Sequence, residues 1–478
     1  MKKAKIITLT ALLLAPLAMV DAATYHVDSM AGTDANDGRS PAAARLTVDA
    51  GQGAGQTDGG WEQSVKAGER SIGGTEIVHL VAHKGRLFAG NGYWMDTRDS
   101  DIPWSQVLVL DSRDGSWRVD LALGQKHLRV TALKSVTFTT DGDGKALAAP
   151  VNLLLAASDS QGESHIWTRD DDRNTWARTT LQGDPQYRRS TRALIVHRDR
   201  QTGVDRIFVA AGALGIFSGV FDATQPGKIR WNEKAELGPV TIRPMSFAEA
   251  NGQIYASVGV SVYRRKDGPA PVWERVYSDN TPEHWELGGI RGLTAVASPS
   301  GAGESLLFSH TDRIIRIDPN NDHQVTVELE IRQLLEKSWG AAVKGSIIAA
   351  YSDMLPLKDP ATGHTVHIMG VEGRIEQGGK DKTYRLDTFF GWYAGGLYLI
   401  RESDQSYRLK EVNGRWAPGN PKLVAPRAYV ISPFPQDAGR CVYFGGFDCN
   451  FFPALDTGWI FRASVETVLA LGTMREKP

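Results

Sequence analysis

The chain has 478 residues and a formal net charge of −1, with 54 Lys and Arg set against 55 Asp and Glu. That balance gives no global field to draw in nucleic acid or a membrane surface, so preference for a charged ligand must come from local clusters. Fifty Gly and 13 Trp beside only two Cys exclude a disulfide scaffold and favour a turn-rich β protein.

The chain opens with Lys2, Lys3 and Lys5, an apolar run from Ile6 to Val20, and then Asp21-Ala22. This is the order of a secretory signal, with cleavage after Ala22. The run is roughly 15 residues, short for a bilayer span, and no Cys follows it to carry a lipid. The expectation is a soluble monomer, periplasmic or secreted, with a signal peptide over 1–22 and an extension and linker over 23–58. A propeller domain over 59–470 and a tail over 471–478 follow. Residues 25–44, YHVDSMAGTDANDGRSPAAA, resemble the opening segment of secreted parallel β-helix proteins that act on polysaccharides; 51–60, GQGAGQTDGG, has linker composition.

From residue 61 onward short runs of Val, Ile, Leu, Phe and Tyr alternate with Gly, Asp, Asn and Pro, and stretches of helical period are scarce. The unit recurs, which is the signature of a propeller or solenoid. Trp117, Trp176, Trp231 and Trp273 each open a late strand of a unit, with Trp416 a shifted fifth case. Two of the preceding hairpins, DSRDGSW and RDDDRNTW, resemble degenerate Asp-boxes of sialidase-like propeller blades. The second keeps Asp171, Thr175 and Trp176 in the motif's order but has Arg173 where Gly belongs, and the first is one residue short. First strands begin near 76, 134, 192, 243, 291, 344 and 427, predicting an all-β propeller of seven four-stranded blades. The sixth unit is long, with an insertion expected around 352–390. The seventh lacks a fourth strand, and the segment from Gly60 to Val65 is the expected replacement, closing the ring from the N-terminus.

A basic residue precedes the apolar core of the first strand in most units: Lys134, Arg192, Arg243, Arg291 and Arg427, with Lys344 a looser match and Glu76 in the first unit. In a propeller these positions approach one mouth of the central channel. The sequence therefore predicts a basic collar able to grip carboxylates or sulfates, the alternative being separate ion pairs between blades. Two loops rich in aromatics and acids, with Tyr93, Trp94 and Asp96 in one and Asp448 and Phe451 in the other, suit the faces and hydroxyls of sugars.

His79 and Tyr93 are the candidate bases. His364 and His367 fall on opposite faces of a strand, and no zinc spacing, P-loop, nucleophile elbow or dinucleotide fingerprint occurs. No cofactor is expected, with structural calcium left open. Cys441 and Cys449 pair only if their segment folds back. Three functions fit: β-elimination on a uronate-bearing polysaccharide, sialidase-like glycoside hydrolysis, and non-catalytic capture of a glycan or protein.

Overall fold

The computed structural model describes residues 60–65, 74–93, 104–160, 164–182, 190–279, 289–340, 342–375, 392–393, 397–412, 423, 425–448 and 457–470. The chain divides into two compact units, Met1–Asp58 and Gly59–Pro478. The expected signal peptide, the extension and the tail lie outside the described residues, as do Trp94, Asp96, Phe451, Trp416 and Cys449. Among the described residues no helix is long and apolar enough to cross a membrane.

The second unit is an all-β propeller. Four sheets have four strands each; an eight-stranded sheet is two such runs joined through the single pair Gly92 and Arg129, and a six-stranded sheet contains a further run of four. Seven four-stranded units thus follow one another. Their inner strands are Glu76–His83, His127–Thr140, Thr191–Arg198, Pro244–Ala250, Arg291–Ala297, a broken strand in blade 6, and Ala425–Ile431. Inner strands of blades 1 to 5 pack each on the next, Glu304–His310 of blade 5 meets Val343–Ala349 of blade 6, Thr365–Ile375 of blade 6 packs on the inner strand of blade 7, and the inner strand of blade 1 packs on that of blade 7, so the ring is closed.

Closure is made by the N-terminus. Glu62–Val65 pairs antiparallel with Gly458–Ser464 and completes blade 7, with Arg462 binding Glu62 bidentately at 2.6 and 2.9 Å. Trp61, 4 % exposed, lies edge-on to Phe444 and Tyr398, with ring centres 4.9 and 6.2 Å away. Truncating it leaves a void between blades 6 and 7. Trp61→Ala is expected to cost about 3–5 kcal/mol, read as a lower urea midpoint; a loss below about 1 kcal/mol would mean that the clasp is incidental.

Three of the recurring tryptophans join blades. Trp117 Nε1 donates to Ser64 Oγ of blade 7, Trp176 Nε1 to Asp120 of blade 1, and Trp273 Nε1 to Glu236 of blade 3. A fully buried arginine on the neighbouring strand reinforces two of these junctions: Arg169 on Asp120 and Asp171, and Arg265 on Glu236, Asp199 and Asp267. Asp171, the acid of the Asp-box-like hairpin, also accepts from His83 Nε2 at 2.9 Å across the same junction. Its likeness to an Asp-box comes from a clamp between blades.

Two sequence expectations shift. Blade 2 begins at His127, seven residues before Lys134, because its inner strand is 14 residues long. Blade 6 splits its inner strand into Val343–Ala349 and Leu355–Lys358, both paired to Thr365–Ile375. The nine-residue helix Ile331–Trp339, not foreseen from periodicity, leads into it and buries Ile331 and Leu335. Cys441 is a buried free thiol.

Candidate functional site in the central channel

The inner strands share one irregularity. Their pairing register slips between Ile77 and His79, Val130 and Ala132, Thr191 and Leu194, Pro244 and Ser246, Arg291 and Thr294, and Pro426 and Ala428. A bulge leaves a residue unpaired and re-aims its side chain. Repeated around the ring at one height, it turns a row of side chains towards the axis. In blade 5 the bulge uses Gly292 at φ 60, where a Cβ would stand 2.4 Å from Ala350 Cβ. In blade 6 the interruption is larger, and residues 350–354 enter the channel. Met354 N donates to Thr294 Oγ1 at 3.1 Å and holds this insert against blade 5.

The insert delivers Tyr351 to the collar. Arg192 and Arg427 each place Cζ 4.2 Å from its ring centre, Arg291 is at 5.4 Å, and Arg129 Nη1 donates to its hydroxyl at 3.4 Å. Cation–π contact in a desolvated setting offsets some of the repulsion between the guanidiniums. Arg192, Arg243, Arg291 and Arg427 are each only 4–6 % exposed. Arg427 is held by Glu372 at 2.7 Å and by Glu76, and Arg129 stands 3.6 Å from Glu76. Arg243 donates to Ser190. Among the described residues, Arg192 Nη1 is buried without a hydrogen-bond partner. Such an atom calls for a ligand or an ordered water.

The electrostatics follow from this crowding. Burial, then Arg192, Arg243 and Arg427, pull Arg291 down to about 9, with Tyr351 opposing; it stays cationic at neutral pH. Burial disfavours charge on Arg427, but Glu372 and Glu76 hold it well above the usual range. For Tyr351 burial pushes upward, and Arg192, Arg129 and Arg427 overcome it, bringing the phenol to about 8.

A cavity of about 430 Å³ occupies the channel beside this cluster, bounded by His79, Lys134, Arg192, Tyr351, Asp353 and Glu249, with Leu133, Leu194 and Leu293 among its apolar walls. His79 Nε2 donates to the Thr131 carbonyl at 2.8 Å, which leaves Nδ1 as the unprotonated nitrogen. Burial is the main cause that lowers its pKa to about 4, so the ring is neutral at physiological pH. Lys134 Nζ pairs with Asp353 at 2.7 Å, both side chains nearly half exposed.

The structure thus brings Arg192, Arg291 and Arg427 together, with Arg243 close enough to repel Arg291, and places His79 and Lys134 on the adjoining cavity. Lys134 sits farther along the strand than the arginines; Arg129 takes the collar position of blade 2. The repeat does not mark it: in register Arg129-Val-Thr-Ala-Leu shares only its first residue with Arg291-Gly-Leu-Thr-Ala, whereas Lys134-Ser-Val-Thr-Phe keeps the basic, apolar and Thr positions. Tyr93 is wholly buried, and neither it nor Asp448, likewise buried, lines this cavity. Tyr351, Asp353 and Glu372 carry no repeat signature. Among the described residues no group of three or more His, Cys, Asp or Glu is placed to hold a metal.

No family model matches the chain, and no curated protein does. Among solved structures it is similar to a protein from Lactobacillus plantarum, at 12 % identity and a TM-score of 0.42 over 76 % of this chain and 90 % of that one. It is also similar to the Dos1 propeller, at 11 % identity and a TM-score of 0.39 over 81 % of this chain and 78 % of that one.

Proposed function

We propose that this is an exported propeller acting on an acidic carbohydrate, its central channel binding a uronate and opening it by β-elimination. The observation that carries this reading is the pairing of a buried guanidinium atom without a partner, Arg192 Nη1, with a neutral histidine on the same cavity. Elimination needs the C5 carboxylate neutralised so that the C5 proton becomes acidic. Arg192 supplies that charge, bidentate geometry suiting a carboxylate. His79 Nδ1 takes the C5 proton, the C5–H electrons become the C4–C5 double bond, and the C4–O bond breaks. The departing oxygen takes a proton from Tyr351, whose depressed pKa suits it to proton transfer near neutrality.

Purified protein incubated with pectate, alginate, ulvan and glycosaminoglycans is expected to yield the ultraviolet absorbance of an unsaturated uronate from at least one of them. Arg192→Gln should remove that absorbance. Silence across the panel removes elimination.

Three arginines gathered about a tyrosine favour a second reading, sialidase-like hydrolysis, in which the guanidiniums hold the carboxylate and Tyr351 does the chemistry. Release of new reducing ends without unsaturated product selects it. Binding with no product of either kind selects non-catalytic capture of a glycan.

A further inference from the structure

The shape of the channel restricts how a chain can enter it. Side chains from five blades meet at one point: Tyr351 from blade 6, Arg129 from blade 2, Arg192 from blade 3, Arg291 from blade 5 and Arg427 from blade 7. The axis is filled at that height. Among the described residues exposure rises away from it: Arg192, Arg291 and Arg427 are 4–6 % exposed and the Arg129 side chain 14 %, whereas the side chains of Lys134, Asp353 and Glu249 are 42, 48 and 43 % exposed. The cavity therefore has a blind, cationic floor and an open rim. Its volume of about 430 Å³ is that of roughly fourteen waters at ~30 Å³ each, which accommodates one pyranose ring with its substituents and part of a second.

An interior stretch of polymer needs two exits, one for each arm of the chain, and a blind pocket offers one. We infer that the site takes the end of an acidic chain, terminal carboxylate first, rather than an internal segment. This rests on the acidic-sugar reading above. Arg192 Nη1 lies at the floor, so the terminal ring itself bears the carboxylate. The rim offers the next ring an ion pair already made, Lys134 with Asp353, and the carboxylate of Glu249. Neither rewards a second negative charge, so a neutral sugar is accepted in second place as readily as another uronate.

Titration calorimetry on the whole protein with digalacturonate, a glucuronate-ended disaccharide having a neutral second sugar, and polygalacturonate tests this. The chain ends of the polymer are counted by reducing-sugar assay. Expected is binding of at least one disaccharide and, for digalacturonate and its polymer, the same affinity per chain end within about threefold. Affinity per uronate then falls as the polymer lengthens. Arg192→Gln, shown folded by its unchanged melting profile, should weaken disaccharide binding at least about tenfold. Equal or tighter binding per uronate to the polymer overturns end-on entry and leaves the acidic-sugar reading standing. Absence of binding by every probe, or binding indifferent to Arg192→Gln, overturns both.

Discussion

Replacing Arg427 by methionine is expected to cost about 3–5 kcal/mol of folding stability, because removing one partner of a buried ion pair strands the other. Its guanidinium is the common partner of Glu372 and Glu76, whose side chains are 6 % and 0 % exposed. Methionine matches the stem in volume and supplies no charge, so both carboxylates would face each other across the channel wall, with Arg129 at 3.6 Å the only remaining cation on Glu76 among the described residues. Urea denaturation reads the loss as a lower midpoint at similar slope. The triple change Arg427→Met, Glu76→Gln, Glu372→Gln should recover most of it, since no stranded charge remains. A single mutant within about 1 kcal/mol of the parent would show that water already reaches these carboxylates.

The second large effect concerns chemistry. His79→Gln keeps an amide N–H to donate to the Thr131 carbonyl and removes only the basic nitrogen. Elimination should fall by about 10²–10⁴-fold while uronate affinity changes little. In the parent, the pH–rate profile should have its acid limb near pH 4: burial lowers His79 to about 4, so the ring is a base at every pH above that. The alkaline limb should fall near pH 8, where Tyr351, drawn down by its arginine neighbours, loses the proton it donates in the proposed elimination. An acid limb near pH 6.5 would instead assign the base to an exposed histidine elsewhere.

How much of this was legible in the sequence depends on which physical signal each element carries. First strands such as Arg192-Ala-Leu-Ile-Val and the closing segment from Trp61 to Val65 were readable, because period-two apolar patterning and turn residues reflect the burial of each blade. The arginines were readable as a repeat. Arg129 was not, because a bulge lies between it and the apolar core, and a slip of one residue moves the side-chain pattern to the other face. Tyr351 belongs to an insert that interrupts an inner strand, so no other blade holds a counterpart to align with it. The tryptophans are legible as marks of the unit, two of them beside hairpins that resemble Asp-boxes; the role of Trp117, Trp176 and Trp273 as donors to the preceding blade depends on contacts no local pattern encodes.

Ring closure has a consequence for how the molecule is made. Glu62 and its partner Arg462 are 400 positions apart, and at about 5–20 residues per second the ribosome needs tens of seconds to go from one to the other. Through that interval Glu62–Val65 is a strand without a sheet, while blade 1 waits with an unguarded flank for the final blade to emerge. The newborn chain is thus most open to wrong pairing, with another copy of itself or with a passing β-edge, just before it is finished. Nascent molecules cut short ahead of Gly458 would remain in that state permanently, which makes the last strands the ones on which completion of the ring depends.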